Sequence, residues 1–205
     1  NTVHKIDGST GTDTLNVTID KSNTDFSQVT NVEVLNITVA DEATAGFDDS
    51  TEDTAFNSAA KTINILGGNA LSVFKIDGGT IDDNTFDQTI DASTFNGKIE
   101  IDLAKNAFDS TLTIKGSSNS KDKVVINEID TTDNKIASMT GVELLEINSD
   151  TGGDTDADVD LANVTGLTEV NAKFAAGGAD QIEIKNLATG VKVKTDVETT
   201  TDNLV

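Results

Sequence analysis

The feature that most limits how this chain folds is a period of two. In TLNVTID (Thr14–Asp20), VLNITVA (Val34–Ala40), KIEIDLA (Lys98–Ala104), TLTIKG (Thr111–Gly116), QIEIKNL (Gln181–Leu187) and VKVKTD (Val191–Asp196), apolar residues alternate with polar ones. In an extended chain residues i and i+2 share a face, so each segment has one apolar side to bury. Similar pieces lie at Thr62–Leu66, Val124–Ile129, Val142–Ile147 and Asp158–Leu161. About ten short strands are therefore expected, separated by turns of Gly, Asp, Asn, Ser and Thr. No stretch carries a helical period. The composition agrees: 26 Asp and 30 Thr favour turns and strands, whereas Glu, Arg and Met are scarce. The reading is all-β.

The chain also repeats itself. FSQVTNVEVLNI (Phe26–Ile37) returns as IASMTGVELLEI (Ile136–Ile147), 110 positions on, and more weakly as LANVTGLTEVNA (Leu161–Ala172). GSTGTDTLNV (Gly8–Val17) is echoed by SSNSKDKVVI (Ser117–Ile126), which places Asp122 109 positions after Asp13. Two elements in one order with nearly one offset mark a partial internal duplication, about 8–40 and 117–150. A parallel β-solenoid of degenerate repeats, β-helix- or β-roll-like, buries each coil's apolar face on the next. Tandem β-sandwich domains are the alternative. Against them, 48–111 has no counterpart after Ile147, no linker divides the halves, and a chain without Trp or Tyr lacks the usual aromatic pins. The expected organisation is one elongated solenoid module over 1–205, cut from a longer protein. Leu15, Val17, Ile19, Leu35, Ile37, Ile99, Ile101, Leu112, Ile114, Leu145, Ile147, Ile182 and Ile184 should point inward. The phenylalanines, among them Phe26, Phe74, Phe86, Phe95 and Phe174, read as core plugs.

A net charge of -22 excludes nucleic acid as a partner, because a polyanion is repelled. It also opposes docking on anionic lipid, and no apolar run approaches the roughly 20 residues of a membrane helix. Such a charge on a compact fold repels itself unless cations neutralise it. Without cysteine there is no disulfide or thiol chemistry. Catalysis has little material: His4 is the only histidine, and carboxylates are too abundant for their pairing to mean anything. The chain reads as non-enzymatic.

GSTGTDTLN (Gly8–Asn16) resembles a degenerate nonapeptide of RTX proteins, G-G-x-G-x-D followed by any residue and a large apolar one. Gly8, Gly11, Asp13 and Leu15 match, and Ser9 replaces the second glycine. AAGGADQI keeps Gly178, Asp180 and Ile182; SSNSKDKV keeps only Asp122 and Val124. Together with VTNVEVLNIT, TGVELLEI, DLANVTGLTEV and IDASTFNGKIEIDL, these turns resemble the central regions of RTX-type surface-layer proteins of Gram-negative bacteria, exported by type I secretion. The resemblance covers most of the chain, more loosely over 41–60. It implies a calcium-stabilised β-solenoid that self-associates into a lattice on the outer cell surface, with lipopolysaccharide anchoring outside this fragment. The repeat stalk of a type I-secreted RTX adhesin is the alternative, and a polysaccharide-active β-helix the third reading. RTX calcium rolls use tandem nonapeptides; here each turn stands alone, so turns distant in sequence would have to stack.

Calcium is the cofactor these residue types favour, a hard cation taking six to eight oxygens. Asp13 and Asp180 are the leading ligands, followed by Asp7, Asp77, Asp82 and Asp122, with IDGGTIDD as the expected opposite wall for Asp13. The competing reading is that turn aspartates bond their own backbone. DTDADVD (Asp154–Asp160) begins like an EF-hand loop but has Val159 and Thr165 where Gly and Glu belong, and reads as a solvated strand or turn edge. The Thr-x-Thr runs at Thr10–Thr14 and Thr111–Thr113 are not expected to recur at one place on every coil. The sequons at Asn16, Asn36 and Asn163 lie in strand pattern and read as structural.

Overall fold

The computed structural model describes residues 5–21, 24, 26, 28–47, 60–76, 88–103, 112–129, 134–135, 138–149, 156–174, 181–196 and 203–204. These residues contain strands and turns and no helix. The first coils carry β1 (Ile6–Asp7), β2 (Thr14–Ile19), β3 (Val29–Thr30), β4 (Val34–Val39), β5 (Thr44–Phe47), β6 (Thr62–Gly67) and β7 (Val73–Ile76). The middle carries β8 (Thr89–Asp91), β9 (Lys98–Leu103), β10 (Thr113–Lys115), β11 (Lys123–Ile129), β12 (Asn134–Lys135), β13 (Ser138–Thr140) and β14 (Leu144–Ser149). The last coils add β15 (Asp156–Asp160), β16 (Val164–Thr165), β17 (Glu169–Lys173), β18 (Gln181–Lys185), β19 (Lys192–Asp196) and β20 (Asn203–Leu204). The excess over ten consists largely of two- and three-residue strands, too short to show alternation.

The chain winds as a parallel β-solenoid. A first face stacks seven strands, β2, β4, β6, β8, β10, β13 and β16; a second stacks β5, β7, β9, β11, β14, β17 and β19. A third holds β12, β15, β18 and β20, and β1 pairs with β3. Every strand pairing named is parallel, which rules out the antiparallel sandwiches. One coil takes a variable length of chain: Thr14 lies against Val34, 20 positions on, and Thr44 against Val73, 29 positions on. The register holds because a slip of one residue would turn a strand's apolar set outward.

Inside, like residues stack in columns. Leu15, Leu35, Ile63, Ile90, Ile114, Met139 and Val164 run through the first face. Ile76, Ile101, Val124, Leu145 and Val170 run through the second. Ten of the thirteen residues expected inside are buried; Leu15, Val17 and Ile184 are half-buried and pack on the core. Each buried aliphatic side chain contributes about 1.5–3 kcal/mol. Phe26, Phe74, Phe95 and Phe174 are buried as expected; Phe86 lies outside the described residues.

Outside, the register builds ladders. Asn36 Nδ2 donates to Asn16 Oδ1 at 2.8 Å, and Asn64 Nδ2 to Asn36 Oδ1 at 2.7 Å, so two of the sequon asparagines are rungs of an amide ladder. On the second face, Glu146 bridges Lys123 and Lys173 at 3.2 and 2.8 Å, Glu100 pairs with Lys75 and Lys98, and Glu169 with Lys194. The Thr-x-Thr runs do not recur on every coil: single threonines Thr14, Thr62, Thr89 and Thr113 share one outer column, which is broken by Val34 and continues to Ser138.

The duplication is out of phase with the coil. Its first copy runs from β3 into β4 on the first face; its second runs from β13 into β14 on the second face. The repeated unit is therefore a corner with its flanking strands, and it is used at two different edges of the solenoid.

Candidate cation site

The corner unit has a common geometry. Its αL position is Asn31 in the first copy (φ 54°), Gly141 in the second (φ 67°) and Gly166 in the third (φ 99°). Asn and Gly tolerate this conformation best, which is why TN, TG and TG recur there. The preceding coil's glycine packs beneath: a Cβ on Gly8 would lie 2.0 Å from Asn31 O, and one on Gly116 would lie 1.8 Å from Gly141 O. Gly8 N–H donates to Thr30 O at 3.0 Å and Gly116 N–H to Thr140 O at 2.7 Å. Gly116 is thus the structural counterpart of Gly8, one residue earlier than the expected echo at Ser117, and the second loop is one residue longer.

Each loop ends on an aspartate held by a glutamate of the next coil. Glu33 Oε2 accepts the Asp13 N–H at 2.8 Å, and Glu143 Oε2 accepts the Asp122 N–H at 3.1 Å. The backbone reciprocates: Val34 N–H donates to Asp13 O and Leu144 N–H to Asp122 O, both at 3.0 Å. Both glutamates escaped the sequence reading. Their signal was present, as VE follows TN and TG at one spacing in the two copies.

The aspartates then diverge. Asp122 is fully buried, and its carboxylate accepts from Ile99 N–H on β9 at 3.0 Å, from Ser117 Oγ at 3.0 Å and from Ser117 N–H. Burial pushes its carboxyl above the ordinary carboxylate range despite these donors. Burial also raises Glu143, and the Asp122 charge adds to it. Asp122 is a latch between coils, with its oxygens spent on protein donors.

Asp13 is half-buried, and among the described residues its enclosed Oδ2 has no partner. The reason lies one residue before the glycine. There the second copy has Lys115, which pairs with Asp91 at 2.7 Å; the first has Asp7. Asp7 Oδ1 takes the Ser9 N–H and the Asn31 amide, both at 2.9 Å, and these donors hold its carboxyl below the ordinary range. The N–H that Ser117 gives to Asp122 is in Ser9 given to Asp7, so Asp13 goes without. Ser9 itself stands at φ 71°, where the nonapeptide pattern has glycine. Gly11 has φ 127°.

At the first corner Glu33 thus holds the Asp13 backbone and Asp7 holds Asn31, with Asn31–Glu33 as the wall facing Asp13's loop. Among the described residues no three His, Cys, Asp or Glu side chains lie close enough together to hold a metal ion. A cation here would take loop carbonyls as well as carboxylate. Asp77, Asp82 and Asp180 lie outside the described residues, as does the IDGGTIDD turn beyond Ile76. The EF-hand-like run is a strand: Asp156–Asp160 is β15, where Asp158 pairs with Lys185.

No protein-family model matches this chain, and neither a curated protein nor a solved structure is detectably similar. The candidate site rests on its own geometry.

Proposed function

We propose that this chain is a non-enzymatic, calcium-binding structural module of a bacterial surface-layer protein, self-associating into a lattice on the outer cell surface. Stacked coils with continuous core columns suit a load-bearing repeat body. The observation that carries the cation reading is Asp13 Oδ2, buried and, among the described residues, unpartnered, on a residue whose N–H is held by Glu33, in a chain of net charge -22. An enclosed carboxylate oxygen without a donor is costly, and a calcium ion relieves that cost. Asp13 leads the ligand set with carbonyls of residues 8–12; Asp180, which follows the glycine-rich AAGGA in the sequence, is the second candidate; Asp122 serves the fold.

Calcium that binds only the folded state stabilises it by about 2.7 kcal/mol at a hundredfold excess over Kd. For a chain of this size that raises Tm by roughly 5–10 °C. Asp13→Ala should remove most of that gain while leaving the melting curve in chelator nearly unchanged. Equal curves in chelator and millimolar calcium would make the corner a solvated turn. Electron microscopy of the natural protein tests assembly: ordered arrays support the lattice, and dispersed particles in saturating calcium support the adhesin stalk.

A further inference from the structure

Between the first and second faces, three consecutive corners are longer than the described ones on either side. They join β6 to β7, β8 to β9 and β10 to β11, and together they line an open groove of about 540 Å³. Its walls are Gly68, Asn69, Asn96, Ser118, Asn119 and Ser120. The floor is rigid. Phe95 is fully buried beneath it, and a Cβ on Gly68 would meet the Phe95 ring at 2.6 Å. Ser118 Oγ donates to Phe95 O at 3.2 Å, and Asn96 Nδ2 to Gly68 O at 3.3 Å, which ties the three corners to one another.

The groove's chemistry differs from the rest of the surface. None of the chain's 36 acidic residues falls in 68–72, 92–97 or 116–121; the third corner ends on Asp122, which is fully buried. The groove's lining is uncharged, and among the described residues part of its hydrogen-bonding capacity is unused. Asn69 Oδ1 accepts the Leu71 N–H, which leaves its Nδ2 free, and Asn96 keeps a free Oδ1. Among the described residues the Asn119 amide and the Ser120 hydroxyl make no side-chain hydrogen bond within the protein. Leu71, next along the first corner, is 70% exposed, the largest exposure of any big apolar side chain described.

We propose that this groove binds a neutral glycan. Free amide and hydroxyl groups on a rigid wall match a chain of hydroxyls, each able to donate and accept. Leu71 offers an apolar ledge for the C–H face of a sugar ring. The negative field of the protein disfavours polyanions, while an uncharged polymer is indifferent to it. Each coil supplies one corner, so the groove crosses three coils and suits an extended polymer.

The test is affinity electrophoresis of the whole chain through gels containing laminarin, dextran or galactomannan, with alginate as the anionic control. Retardation in at least one neutral gel and none in alginate is expected. The double variant Asn119→Ala/Ser120→Ala, and separately Leu71→Ser, should weaken that binding roughly fivefold or more, as loss of one net contact implies. These side chains carry no fold-holding bond, so the variants should keep the parent's circular dichroism and melting curve. Unretarded migration in all three neutral gels, or variants retarded as strongly as the parent, overturns the proposal. Because the groove is remote from Asp13 in the fold, binding that persists in chelator separates this outcome from the calcium question.

Discussion

Replacing Asp122 by alanine isolates the latch between coils. The wild-type carboxylate is 0% exposed and takes two backbone N–H groups and one hydroxyl. In Asp122→Ala the Ser117 hydroxyl keeps a partner, Gly97 O at 2.7 Å. The N–H groups of Ile99 and Ser117 lose theirs. A buried donor left unpaired costs about 1–3 kcal/mol, so two cost about 2–6 kcal/mol. Against this, the variant no longer buries a carboxylate whose ionised form is disfavoured there. The net expectation is a loss of about 3 kcal/mol, or roughly 6–12 °C in Tm. Asp13→Ala, at the equivalent position, removes an oxygen that has no donor, so in chelator it should cost under about 1 kcal/mol. Urea and thermal unfolding of both variants, followed by far-ultraviolet circular dichroism in chelator, measure the difference directly. If Asp122→Ala costs no more than Asp13→Ala, the latch reasoning is wrong.

Stability should peak on the acid side of neutrality. Asp122 and Glu143 have raised folded-state pKa values, so they oppose folding at pH 7 and that opposition is relieved as pH falls through those values. Glu100 and Glu146 are buried enough to be raised, yet their lysine partners outweigh burial and hold them low; their contribution is lost as pH falls through the lowered values. Stability should therefore rise as pH falls from 7 toward the ordinary carboxylate range of about 4 and fall below it, with Glu143→Gln flattening the rise; a steady decline from neutrality would refute this. Gly116→Ala drives a Cβ to 1.8 Å from Gly141 O, a backbone atom that cannot step aside, and should cost at least about 2 kcal/mol in chemical denaturation. Gly190→Ala, with nothing within 4 Å, bears only its αL strain of about 1–2 kcal/mol, and a larger loss there than at Gly116 would contradict the packing account.

Alternation in segments such as TLNVTI and KIEIDL decided strand, facing and core, because a period of two is local and leaves one apolar side to cover. The recurrence of TN-VE and TG-VE decided that the fold is built from repeated corners, since an αL residue and its glycine neighbour leave marks in composition. The phase of those corners was not legible. Coils of 20 to 29 residues close whenever the register of the core is met, so 110 residues of offset moved the second copy to another face. Nor was the fate of each aspartate. Asp13 and Asp122 share a motif, and what separates them is whether the serine N–H in the loop turns to Asp7 or to the aspartate itself. The corner groove was equally hidden, because its side chains come from three coils and each contributes only a few unremarkable polar residues. Local pattern sets what a strand buries; only stacking sets what meets across coils, and hydrogen-bond satisfaction and cation affinity are properties of that meeting.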